Sequence, residues 1–107
     1  MFEAIINALK AIWSFIKKIV LKVVYFAMNI VSFFRDEKRL EKLKADKDLI
    51  AVAIKERLAT GNYQVVNCLF NKETYTIDEE DAVVISADGI DEETESKFGT
   101  KDMIVLT

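Results

Sequence analysis

Few residues in this chain have the chemistry for catalysis. There is no histidine among its 107 residues, which excludes imidazole acid–base work and imidazole metal ligation. The one cysteine, Cys68, sits in the run Tyr63-Gln64-Val65-Val66-Asn67-Cys68-Leu69-Phe70. A reactive thiol needs a neighbouring base or cation. No such group is placed by the sequence, so Cys68 reads as a small buried hydrophobe. Carboxylates cluster at Asp78-Glu79-Glu80-Asp81 and at Asp91-Glu92-Glu93 with Glu95. They lack the spacing of a calcium loop. Acid–base chemistry would also need a pocket, and the first run reads as a solvated loop, the second as the start of a helix. Thr60-Gly61-Asn62 and Ala87-Asp88-Gly89 read as turns, since no phosphate-loop pattern accompanies them. The sequence therefore implies no cofactor, no metal and no enzymatic activity.

The remaining chemistry is that of surfaces. Lys17, Lys18 and Lys22 interrupt an apolar stretch that includes Ile12, Trp13, Ile16, Ile19, Val20, Val23, Phe26, Ile30 and Phe33. Placed on a helix, the polar residues of 1–34 all fall within an arc of about 140°, leaving the rest of the circumference apolar. The pattern keeps phase without Pro or Gly. It predicts one amphipathic helix over residues 1–34, about 50 Å long. Burying even ten of its apolar side chains is worth on the order of 15–30 kcal/mol, so a free, exposed form is not expected.

Three arrangements satisfy that helix. It spans a membrane with its lysines in a polar seam, lies in the interface with its lysines among headgroups, or forms the shared core of a soluble oligomer. The longest uncharged run, residues 23–34, is shorter than the ~20 residues a lone span wants. A secretory signal is not expected, because the segment is too long and charged and lacks a cleavage site.

Charge is unevenly divided. The net charge is −3, with residues 1–44 carrying +5 and residues 45–107 carrying −8. A basic, apolar end suits anionic lipid, whereas the acidic end argues against nucleic acid. The basic residues Arg35, Lys38, Arg39, Lys42 and Lys44 directly follow the apolar stretch. Flanking a span, they would keep the acidic part on the cytoplasmic or interior side.

Beyond the apolar helix, Asp36 reads as an N-cap. A charged helix is expected from there to about Leu58, striped by Leu40, Leu43, Ile50 and Ile54, with Gly61 after it. Strands are expected at 63–70, 74–77, 82–86 and 103–106, and a short helix at 91–98 with Asp91 as N-cap and Gly99 as stop. The fold class is α+β: a long apolar N-terminal helix, a charged helix and a small β-rich part. The corresponding segments are 1–35, 36–61 and 62–107.

The expected function is that of a membrane-anchored structural or interaction protein, a subunit of a larger membrane complex or membrane-containing assembly. Its partners are lipid together with a protein or further copies of itself. The alternatives are a pore-forming protein and a soluble oligomer assembled through the first helix.

Overall fold

The computed structural model of the chain describes residues 2–106. The chain folds as an α+β protein around one five-stranded sheet. Helix α1 covers Phe2–Ile12, followed by a 3₁₀ turn at Trp13–Phe15 and strand β1 at Lys17–Val24. A π-helical turn, Phe26–Val31, runs into the short helix α2, Ser32–Phe34. Helix α3 covers Glu37–Ala45, strand β2 Leu49–Arg57, strand β3 Tyr63–Asn71 and strand β4 Thr76–Ile90. Helix α4, Glu92–Phe98, and strand β5, Met103–Leu106, complete the fold.

The order across the sheet is β1-β4-β3-β2-β5. β1 lies parallel to β4, in register from Lys17 opposite Val83 to Val24 opposite Ile90. The other pairs are antiparallel. Successive strand residues point to opposite faces, and here both faces are covered. On one, Ile5, Ala8 and Leu9 of α1 pack with Ile16 on Val52, Ile54, Val66, Cys68, Phe70 and Val84. On the other, Ile30, Phe34 and Phe98 pack with Val24 on Ala51, Ala53, Val65, Leu69, Val83 and Ile85. That double burial explains the near-continuous apolar runs of β2, β3 and β4.

The α+β class and the order of apolar helix, charged helix and β-rich remainder hold, but both helices are shorter than the sequence pattern predicts. The continuous helix expected over 1–34 stops at Ile12. Residues 17–24 contain four β-branched side chains, Ile19, Val20, Val23 and Val24, and β-branched residues favour a strand. The charged helix stops at Ala45 rather than near Leu58, and its predicted stripe residues Ile50 and Ile54 belong to β2. Asp36 does cap that helix: its Oδ1 accepts the N–H groups of Lys38 and Arg39 at 3.1 and 3.3 Å. Strands at 63–70 and 103–106 appear as expected, while those at 74–77 and 82–86 merge into the 15-residue β4. That strand absorbs the acidic run 78–81, expected as a loop, and residues 87–89, expected as a turn.

Helix α4 forms where predicted. The Asp91 carboxylate accepts the Thr94 N–H at 3.1 Å, and the Thr94 hydroxyl holds the Asp91 carboxyl below its usual range. Gly99 ends the helix at φ 58°, a left-handed backbone that a side chain would strain. Strands from all three predicted segments share the sheet.

Because α1 and the π-helical turn serve opposite faces, Leu9→Ala and Ile30→Ala should each lower the unfolding free energy by about 2–5 kcal/mol. Val20→Ala, on the exposed edge strand, should stay within about 0.5 kcal/mol. Urea denaturation of the full chain measures all three.

Candidate interaction surface

β1 is an edge strand, hydrogen-bonded on one side only, to β4. Its burial alternates, with Lys18, Val20 and Lys22 exposed and Ile19, Leu21 and Val23 half-buried. Four of the large exposed apolar side chains belong to this strand or its flanks: Phe15 (68% exposed), Val20 (83%), Tyr25 (45%) and Met28 (69%). Lys17, Lys18 and Lys22 stand among them, and none takes part in an ion pair among the described residues. Lys18 Nζ lies 5.6 Å from the Trp13 ring centroid, a cation–π distance. Residues 4–35 contain no carboxylate.

The structure brings the three lysines of the predicted polar seam onto one strand but distributes the predicted anchoring residues. Ile16 and Ile30 are buried, on opposite sides of the sheet. Ile12, Trp13, Ile19, Val23, Phe26 and Phe33 are half-buried, and Val20 projects into solvent. No helix among the described residues is long and apolar enough to cross a membrane.

Beside β1 opens a cleft of about 720 Å³ that sequence reasoning missed. Ile19 and Leu21 of β1, Asn67 of β3 and Val83 and Ile85 of β4 line it from the sheet. Met28 and Asn29 of the π-helical turn, Phe33 and Arg39 line it from the helical layer. Phe15, Lys17, Glu79 and Glu80 add to its lining. The Asn29 Oδ1 accepts the Tyr25 N–H at 2.8 Å and so closes the first turn of the π-helical segment. Such turns recur at functional sites. No periodicity signals a site of this kind, because its walls come from seven separate elements.

One wall is fixed by charge. Asp81 is buried, and its carboxylate meets Arg39 Nε at 3.3 Å and Lys42 Nζ at 2.7 Å. The Arg39 guanidinium also donates to the Phe33 and Glu80 carbonyls, at 3.1 and 3.3 Å, and stacks 3.7 Å above the Phe33 ring. The Asp81 hydrogen bond raises the Lys42 pKa above its ordinary value, against a smaller desolvation effect. Elsewhere Cys68 is fully buried, and burial pushes its thiol up to about 12.

No family model, curated protein or solved structure matches this chain.

Asp81→Ala leaves a mostly buried Arg39 without its counter-charge and should cost about 3 kcal/mol. Lys42→Ala removes a half-exposed partner and should cost less than about 1 kcal/mol by the same denaturation measurement. Cys68 should be inert to an aromatic disulfide reagent at pH 8 until the protein unfolds. Its thiol ionises near 9 when unfolded and near 12 when folded. The folded state therefore holds more protons between those values, and stability should fall as pH rises through that window. Lys42 acts in the same direction: the stability from its raised pKa is present below 10.5 and lost as pH climbs through the folded value. Melting temperature against pH, compared with Cys68→Ala, separates the two.

Proposed function

We propose that this protein is a non-catalytic interaction protein that docks on an anionic membrane surface through β1 and its flanks. The observation that carries the reading is the exposure of Phe15, Val20 and Met28 together with Lys17, Lys18 and Lys22 along the edge strand and its flanks, with Lys18, Val20 and Lys22 on one face and Lys17 on the other, in a stretch without carboxylates. Apolar side chains of this size enter the headgroup boundary, while lysines nearby meet lipid phosphates and carboxylates. Trp13, half-buried beneath Lys18, is suited to the same boundary. This is the interfacial form of the membrane reading, with the chain lying on the bilayer as a folded body.

Two further features support it. Lysines along a free strand edge discourage pairing with a second strand, which favours lipid over edge-to-edge assembly as the partner of β1. The exposed carboxylates Glu92, Glu93 and Glu95 of α4, together with Asp88, provide an acidic surface for a protein partner. The sole thiol is buried and protonated, which leaves no activated nucleophile of that kind.

Flotation with vesicles tests the reading. The full chain should float with phosphatidylcholine vesicles containing phosphatidylserine and stay behind with phosphatidylcholine alone, and high salt should release it. Each surface lysine contributes about 1 kcal/mol near anionic lipid, so replacing Lys17, Lys18 and Lys22 with Gln should weaken binding on the order of a hundredfold. Phe15→Ser should weaken it further. Flotation that ignores lipid charge and these substitutions would overturn the proposal, as would a defined soluble oligomer without vesicle binding. Dye leakage at low occupancy would point instead to membrane permeabilisation.

A further inference from the structure

Asn67 is out of place in its surroundings. It occupies the middle of β3, the central strand, between Val65 and Leu69 on the same face. Ala53 and Val83 stand directly opposite it on the neighbouring strands, and all four of these neighbours are buried. The side chain is 0% exposed, and neither its Oδ1 nor its Nδ2 has a hydrogen-bond partner among the described residues. Each such orphan costs about 1–3 kcal/mol, and an aliphatic residue of similar size would carry no such cost. The polar side chain therefore calls for a partner that the fold itself does not provide.

Asn67 lines the 720 Å³ cleft, whose volume lies within the range of about 300–1,000 Å³ typical of small-molecule sites. The terminal torsion of an asparagine is broad and soft, so the amide can present either its Oδ1 or its Nδ2 to a given side at little cost. The chemistry of the lining narrows the ligand. A carboxamide presents one donor and one acceptor side by side, and its complement is an adjacent acceptor and donor on a planar edge. Nucleobases carry such edges, and asparagine pairs with adenine in this bidentate way. Ile19, Leu21, Val83 and Phe33 offer apolar walls for a flat ring, and Asn29, whose Oδ1 is held by the Tyr25 N–H, adds the donors of its amide nitrogen.

Charge argues against a phosphate on that ring. The Arg39 guanidinium already donates to the Phe33 and Glu80 carbonyls and has its charge balanced by Asp81 at 3.3 Å. The other charged lining residues are Lys17, Glu79 and Glu80, a net negative set.

We propose that this cleft binds a neutral planar heterocycle with an amide-type edge, a free purine or pyrimidine base or its nucleoside, read by the carboxamide of Asn67. The proposal does not rest on the membrane reading, but the two regions share Phe15, Lys17 and Met28.

Ligand-observed NMR and thermal shift on the full chain provide the test, with adenine, uracil, adenosine, uridine and the two nucleoside monophosphates as probes. At least one base or nucleoside should bind saturably and raise the melting temperature, with its monophosphate several-fold weaker. Asn67→Val should melt higher than the natural chain and bind at least about tenfold more weakly, the usual loss for a bidentate pair. Leu21→Trp fills the cleft while leaving Asn67 in place, and should also abolish binding; it decides the matter if Asn67→Val does not fold. No binding by any probe at millimolar concentration would overturn the proposal, as would binding that survives both substitutions. A trapped water as the only partner of Asn67 would produce that first negative result together with a stabilised Asn67→Val. Unchanged vesicle flotation by Asn67→Val would keep the two proposals separate.

Discussion

The parallel pairing of β1 with β4 is the constraint on which the rest of the structure depends. β1 connects α1, which covers one face of the sheet, to the π-helical turn and α2, which cover the other. The chain crosses from face to face by running along the sheet's edge. Without β1 the β4 residues 83–90 would lose their strand partner on that side, and neither helical cover would be held in position. A parallel pair needs a long connection between its members. Here that connection contains α3, β2 and β3, so the pairing closes the middle of the chain into a loop between its first and last thirds. The apolar N-terminal stretch satisfies its need for burial within the molecule: Ile5, Leu9, Ile16, Val24, Ile30 and Phe34 are core residues.

That arrangement explains where the sequence was readable. An apolar arc covering well over half a helix circumference carries little phase information. Nearly any spacing of apolar residues fits it, including the strand alternation of Lys18, Val20 and Lys22 against Ile19, Leu21 and Val23. The β-branched density of 19–24 was the better signal, because crowding at the β-carbon acts residue by residue whereas periodicity averages over turns. Leu49–Arg57 failed for a related reason. A strand buried on both faces has no alternation, and the short apolar run of residues 49–54 looks the same on a helix. Elements with local chemistry were legible: Asp36 and Asp91 as caps, Gly99 as a stop, and β3 from its Val, Cys, Leu and Phe content.

The cleft was not legible because it has no local signature. Asn67 looks ordinary in the run from Tyr63 to Phe70, and only its position in the central strand, with Ala53 and Val83 beside it, makes its polarity costly. Arg39 and Asp81 lie far apart in sequence, and each belongs to a cluster of like and unlike charges that reads as solvated surface. The three lysines of β1 were identified from sequence as a set, since they are the only charges between Lys10 and Arg35. Their setting differs: an edge strand places Lys18 and Lys22 on one face and Lys17 on the other, where a helix would have gathered them on an arc.

The charge asymmetry of the chain divides into two physically different parts. Arg39 and Lys42, from the basic half, close on Asp78 and Asp81, from the acidic half, and so tie α3 to β4. That portion of the asymmetry is spent inside the fold and says nothing about a partner. Among the described residues Lys17, Lys18 and Lys22 are not used in this way, and they lie on or beside the strand that carries Val20, with exposed Phe15 and Met28 on its flanks. A surface with both features has two reasons to leave water for an anionic, partly apolar environment, and neither reason depends on a long helix. Membrane affinity and a compact fold are therefore compatible here: the core takes the side chains that a spanning helix would have shown to lipid, and the edge strand keeps the charge that lipid headgroups attract.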